Sequence, residues 1–319
     1  MKRLILLCGF VILQILFIKN VSATNSYSSM VNIEGTNNIY LVVDDLKYTN
    51  ENDNEPRIGT LTIDEKEGAI YNPLKVDDWL DTTKPERQPN DLEACCAIPG
   101  RTNEYLLAES GLYKNKFGRI FHICFTHENR KVRVLSSFKI YNRELDEKGT
   151  SFKGYNVEGI ACFQAFKKTI LVYSERGGEA KDGVKLARLF WGEINFSNSP
   201  PVFNKLGEDD LVTQSILKDR DSADLFLKSE GKKIDIYSIA TIDRGNNGPF
   251  KSVIYKAGSF VLNTEKEVVN FEREQSPEVI YTIDGLKVEA IASTTNPESP
   301  FCIGTDDENF GGIWRPLPK

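Results

Sequence analysis

Histidine is scarce in this chain, limited to His122 and His127, and no G-x-S-x-G turn occurs. A Ser-His-Asp triad needs an imidazole beside an exposed serine elbow, so that chemistry is not expected. His122 sits in RIFHICF and reads as a packed strand residue, while His127 borders a polar turn. Neither G-x-x-x-x-G-K-[ST] nor G-x-G-x-x-G is present, which removes the usual glycine-rich phosphate cradles. Basic residues are outnumbered: 40 Lys and Arg stand against 46 Asp and Glu, a net charge of −6, so nucleic acid is not the expected partner.

Beyond the N-terminus no apolar run approaches the roughly 20 residues that cross a bilayer. The N-terminus itself carries Lys2 and Arg3, an apolar run over Leu4 to Ile18, and small residues at Val21-Ser22-Ala23. That order is the one a secretory signal peptidase reads, and the run is too short for an anchor. We expect residues 1–23 to be a signal peptide and 24–319 one secreted or periplasmic domain, a monomer with no stable membrane insertion. Five cysteines follow that segment, Cys95, Cys96, Cys124, Cys162 and Cys302, with no zinc-ligand spacing. An odd count in apolar runs reads as buried thiols, with one disulfide through Cys124 or Cys302 left open.

Short runs rich in Val, Ile, Phe and Tyr take the place of helices, among them YLVVDD, YLLAESG, RIFHICF, TILVYSE and KIDIYSIA. They are separated by Gly, Asn, Asp and Pro clusters, which is an all-β pattern. The runs also recur. YSSMVNIEGTNNIYLVVDD aligns without a gap to LEACCAIPGRTNEYLLAES, and three later segments follow the same course. The repeat starts lie near residues 28, 93, 158, 221 and 289, spaced 65, 65, 63 and 68 apart. Each copy holds four strands; in the second they cover 93–98, 104–110, 118–125 and 130–141. Four antiparallel strands per unit make a propeller blade, so the expected fold is a five-bladed β-propeller. A sixth blade is the alternative, because 259–286 holds extra strand-like sequence. The last copy ends after its third strand, so the closing blade is either three-stranded or completed from the N-terminus.

The repeat carries acids at two positions. Its anchor is Ser28, Glu93, Glu158, Asp221 or Glu289, and the end of the second strand is Asp44-Asp45, Glu109, Glu175, Ser238 or Asp306-Asp307. Antiparallel pairing puts the start of one strand beside the end of the next, so both rows fall on one rim of the channel. Such a ring calls for a counter-charge. Calcium accepts irregular cages of six to eight oxygens, and Glu93, Glu158, Asp221, Glu289, Asp44 and Asp306 are its candidate ligands. Glu109 and Glu175 are the candidate general bases. The competing reading is that these acids cap turns or pair with Arg119, Arg176 and Arg244.

LEACCAIPGRTNEYLLAESG, NVEGIA, KVEAIA and FCIGTDDENFGG resemble the strand starts of bacterial phytase-like and esterase-like-phytase propellers. An early-strand Glu-Gly is also shared with calcium-dependent lactonase propellers. The resemblance implies metal at the channel mouth and hydrolysis of a phosphoester, ester or lactone, with Glu93, Glu158 and Glu289 in the positions of the family acid. Ser28 and the DSADL start of the fourth copy depart from it, and no basic phosphate clamp accompanies it. Two functions follow as expectations: a calcium-dependent hydrolase, and a non-enzymatic propeller that binds a small molecule, phosphoester or glycan with calcium as a structural clasp.

Overall fold

In the computed structural model the described residues are 26–47, 55–64, 66, 68–76, 78–79, 89–111, 118–128, 130–140, 156–178, 186–211, 217 and 219–319. Residues 1–23, the expected signal peptide, lie outside them. The chain forms a five-bladed β-propeller, with nineteen strands among the described residues. Blade one is β1 (Ser29–Asn32), β2 (Ile39–Val43), β3 (Ile58–Asp64) and β4 (Gly68–Leu74). Blade two is β5 (Leu92–Ala97), β6 (Glu104–Glu109), β7 (Ile120–Thr126) and β8 (Lys131–Phe138). Blade three is β9 (Val157–Ala165), β10 (Lys168–Glu175), β11 (Ala187–Asn195) and β12 (Val202–Leu211). Blade four is β13 (Leu225–Glu230), β14 (Lys233–Ile242), β15 (Lys251–Asn263) and β16 (Val268–Asp284). Blade five has three strands among the described residues, β17 (Val288–Ser293), β18 (Phe301–Thr305) and β19 (Trp314–Leu317), with a single-turn 3-10 helix at Glu308–Phe310. No helix among the described residues is long and apolar enough to cross a membrane.

The sixth blade is not formed. Residues 251–263 and 268–284 instead make one long antiparallel hairpin that extends the outer edge of blade four. Its sequence alternates polar and apolar residues because one face is solvated, a pattern that an extended hairpin and a separate blade share.

Five apolar clusters fill the five seams between blades. Leu41, Ile58, Tyr105 and Phe121 join blades one and two, and Leu106, Ile160, Leu171 and Phe190 join two and three. Ile170, Val172, Ile236 and Tyr255 join three and four, and Ile239, Ile254, Ile291 and Ile303 join four and five. Tyr40, Val42 and Leu61 meet Ala290, Ala292 and Cys302 to close five on one. Inner and second strands bury both faces and so read as continuous apolar runs, whereas β12 and β16 lie outside and alternate. The three tryptophans serve this packing: Trp79 meets Phe121 edge-on, Trp191 meets Phe260, and Trp314 lies beside Tyr40. Each central apolar side chain stabilises by about 2–5 kcal/mol relative to alanine.

Candidate functional site

The first strand of each blade lines the axis, and in blades two, three and five its start carries a β-bulge. Leu92 faces Glu109 and Ala94 faces Ala108, so Glu93 is the extra residue. Glu158 is skipped in the same way between Val157 and Gly159, and Glu289 between Val288 and Ala290. A bulge turns its residue out of the ladder and re-aims the side chain, here toward the axis. In blade four Ala223 donates to the Ile239 carbonyl while Leu225 faces Ser238, so the bulge residue is Asp224. The sequence alignment had placed Asp221 there. The structure puts Asp221 elsewhere: its Oδ2 accepts the backbone N–H groups of Gly178 (3.1 Å) and Ala187 (3.0 Å). Gly178 has φ +77°, and a Cβ there would lie 2.3 Å from the Asp219 carbonyl oxygen. Asp221 thus ties the backbone after β10 to the start of β11.

Asp224 is buried on the axis and bonds the Ile291 N–H of blade five (3.0 Å) and the Ser29 hydroxyl of blade one (3.3 Å). Burial holds its carboxyl well above the usual range. Ser29 in turn accepts from the Cys95 N–H of blade two. Four blades therefore meet around one carboxyl.

Arg220 and Lys287, both buried, supply charge to the rest of the ring. Arg220 donates to Glu289, and the same guanidinium nitrogen stands 3.7 Å from Glu158. Lys287 contacts Asp306 (2.8 Å), Glu308 (2.5 Å) and Glu289 (3.2 Å). Arg176 adds a contact to Glu158 at 3.7 Å and one to Asp243 at 3.5 Å. Burial would raise the Glu289 carboxyl, but Lys287 and Arg220 bring it down to about 2. For Glu158 burial outweighs Arg220 and Arg176, and its value rises to about 7. Oε1 of Glu158 is buried without a hydrogen-bond partner. Glu93 has no hydrogen bond or ion pair among the described residues. Burial, then Glu158 and Asp91, push its carboxyl well above the usual range. Three glutamates at one repeat position thus occupy three electrostatic settings.

The second row is engaged otherwise. Glu109 accepts from Arg119 Nε (2.9 Å) and Nη2 (2.6 Å) and from the Asn90 N–H. Glu175 accepts from Arg188 Nε (2.7 Å) and Nη2 (3.2 Å). Bidentate guanidinium pairing leaves neither carboxylate as a free base. Asp44 and Asp45 share the Ser26 hydroxyl, and burial with Asp45 beside it raises Asp44 to about 7. Asp306 also rises to about 7, mainly through burial and Glu289. Arg244 pairs with Asp219 at the surface. His122 is a buried strand residue bonded to Glu104 at 2.7 Å, and all five described cysteines are free thiols, Cys124 and Cys302 included.

As a calcium cage the ring does not fit. Arg220 and Lys287 contact Glu158, Glu289 and Asp306, the oxygens a cation would need, and Asp221 is committed to backbone. Among the described residues no group of three or more His, Cys, Asp or Glu is arranged to hold a metal ion. Arg220, Lys287 and Asp224 escaped sequence reasoning. The two cations occur in one copy each, so repetition could not reveal them. Asp224 did carry a signal: it precedes Leu225-Phe226-Leu227, a strand run, whereas Asp221 precedes Ser222-Ala223.

Beside the funnel, between blades four and five, lies a cavity of about 500 Å³ lined by Ile242, Pro249, Phe250, Gly285 and Phe310. Phe310 is 65% exposed. Ile242 adjoins Asp243 and Phe310 follows Glu308 by two residues, so the cavity shares chain segments with the charged cluster.

No protein-family model and no curated protein matches the chain. Among solved structures it is similar to an α-L-arabinanase of Cellvibrio cellulosa complexed with arabinohexaose, at TM-score 0.51 and 9% identity over 93% of this chain and 92% of that one. An exo-1,5-α-L-arabinanase from a bovine ruminal metagenomic library matches at TM-score 0.49 and 11% identity over 92% and 93%. A periplasmic gluconolactonase of Pseudomonas aeruginosa matches at TM-score 0.42 and 10% identity over 91% and 80%. At these identities the likeness is one of fold.

Proposed function

We propose that this propeller is a hydrolase of small polar substrates, a glycan before a phosphoester, acting at the axial funnel by carboxyl acid–base catalysis. The observation that carries the reading is the spread of Glu93, Glu158 and Glu289 from well above the usual carboxyl range, through about 7, to about 2. Carboxyls pushed apart by their surroundings are the basis of acid and base assignments. Glu93, whose proton is held by burial and by the neighbouring Glu158 and Asp91, donates it to the leaving-group oxygen. Ionised Glu158 takes a proton from the attacking water, whose oxygen bonds the electrophilic carbon as the old C–O bond breaks. Glu289 stays charged between Arg220 and Lys287 and favours positive charge developing on the substrate. An excess of carboxylates repels phosphate, while sugar hydroxyls suit carboxyl acceptors. The Cellvibrio neighbour is an arabinanase complexed with a sugar oligomer, the same ligand class, and Phe310 offers a ring on which a further sugar stacks.

The test is a panel of aryl glycosides, arabino-oligosaccharides, lactones, esters and phosphoesters, each assayed with calcium and with a chelator. Chelator-insensitive glycoside turnover that Glu93→Gln abolishes is expected. No turnover in any class, or turnover of phosphoesters alone, sinks the proposal.

A second reading keeps calcium as a clasp on a binding propeller. It is favoured by Asp44, raised to about 7 by burial and by Asp45 beside it, since a cation near these two carboxyls would relieve that repulsion. A calcium-dependent rise in melting temperature with no turnover supports it. The export signal belongs to the same proposal, and N-terminal sequencing of the mature protein checks it.

A further inference from the structure

The seam between blades two and three holds two thiols in contact: Cys96 Sγ on β5 and Cys162 Sγ on β9 lie 3.6 Å apart. The other cysteines are placed differently. Cys95, next in sequence, points into the opposite seam, where its thiol approaches the Ser29 hydroxyl and the Leu41 carbonyl. Cys302 belongs to the seam of blades five and one, and Cys124 lies on the third strand of blade two. Only Cys96 and Cys162 face each other across a seam among the described residues. Ala94 and Ile160 flank them, so the wall there is apolar and offers the sulfurs no better partner.

We propose that Cys96 and Cys162 form a redox-active pair that closes to a disulfide stapling the inner strands of blades two and three. The oxidant is a small-molecule disulfide such as oxidised glutathione. Cys162, the less buried thiol, loses its proton to solvent and attacks one glutathione sulfur. One glutathione thiol leaves and a mixed disulfide remains. Cys96 then loses its proton and attacks Cys162 Sγ, expelling the second glutathione thiol. Two electrons pass from the protein dithiol to the glutathione disulfide, and one S–S bond replaces another. Burial, with Cys162 beside it, pushes the Cys96 thiol up, in keeping with its role as the second, resolving sulfur.

The staple bears on the funnel. Glu93 lies three residues before Cys96 on β5, and Glu158 four before Cys162 on β9. Oxidation therefore ties together the two strands that present Glu93 and Glu158. The bond itself stands on the thiol geometry alone and does not depend on the hydrolase reading.

The test equilibrates the full-length protein in buffers of increasing oxidised-to-reduced glutathione ratio, quenches by alkylation in denaturant and maps peptides by mass spectrometry. A linked Cys96–Cys162 peptide lighter by two hydrogens is expected, with Cys95, Cys124 and Cys302 alkylated. The bond closes a span of 66 residues, so the melting temperature should rise by several degrees on oxidation. Cys162→Ser removes both the link and the rise, while Cys95→Ser keeps both. Complete alkylation of Cys96 and Cys162 at the most oxidising ratio overturns the proposal, and so does linkage of either to Cys95. If Cys162→Ser fails to fold, the wild-type peptide map still decides.

Discussion

Asp224 of blade four accepts a hydrogen bond from Ser29 of blade one, two blades away round the ring. The same carboxyl holds the Ile291 and Leu225 N–H groups, so it fastens the inner strands at the axis. Asp224→Ala orphans those buried amides at about 1–3 kcal/mol each, and urea denaturation should show a markedly lower midpoint. Ser29→Ala, which removes one acceptor for the Cys95 N–H, should cost less.

Glu93 calls for the opposite stability result. A half-buried carboxyl without a cation gains nothing from its charge, so Glu93→Gln should leave the melting temperature unchanged or raise it. The same variant should lower kcat/KM by about 10²–10⁴-fold on any substrate the wild type turns over, the range for losing a general acid. Unchanged kinetics would remove Glu93 from the reaction.

Arg220 is the structural counter-charge. Arg220→Met strips one of the two cations from Glu289, leaving Lys287, and should destabilise by about 3–5 kcal/mol, because a buried carboxylate is then only partly compensated. Combining it with Glu289→Gln should recover much of that loss. Chemical denaturation of the single and double variants measures both.

Stability should also depend on pH with a definite sign. Asp44, Glu158 and Asp306 have folded values of about 7 against ordinary values of 3.8, 4.5 and 3.8. The folded protein then binds more protons than the unfolded chain over that window, and stability falls as pH rises toward and through 7. Glu289, depressed to about 2 from 4.5, contributes above 4.5 and loses its contribution as pH falls through 2. The urea midpoint should therefore be higher at roughly pH 5.5 than at roughly pH 8, and Glu158→Gln should flatten the difference.

Asp221 separates a brace from a metal ligand. Asp221→Ala should cost about 1–3 kcal/mol by freeing the Gly178 and Ala187 N–H groups, with the same loss in calcium and in chelator. A calcium-dependent loss would restore it to the role expected of a ligand.

The five-fold repeat was legible because propeller blades repeat one strand pattern, and in blade two the expected strands fall within a few residues of β5 to β8. The three glutamates were legible for the same reason, as they recur at one offset. Asp224 was missed although the spacing favours it: it lies 66 residues after Glu158 and 65 before Glu289, against 63 and 68 for Asp221. Two acids three residues apart compete for one repeat position there, and backbone pairing decides between them. The pairing of Glu109 with Arg119 was foreseeable as an alternative, whereas Arg188, on the third strand of blade three, meets Glu175 only once the strands are side by side. Arg220 and Lys287 are single events in single copies, so no internal comparison exposes them.

The seam of blades five and one has a consequence for how the chain comes into being. Synthesis runs from blade one to blade five, so Tyr40, Val42 and Leu61 emerge long before Ala290, Ala292 and Cys302, which cover them. Until residues 290–302 leave the ribosome, the first-made blade carries a naked apolar flank. A nascent chain of this architecture must keep that flank from other chains for most of its own translation, and any truncation before β18 leaves it uncovered for good.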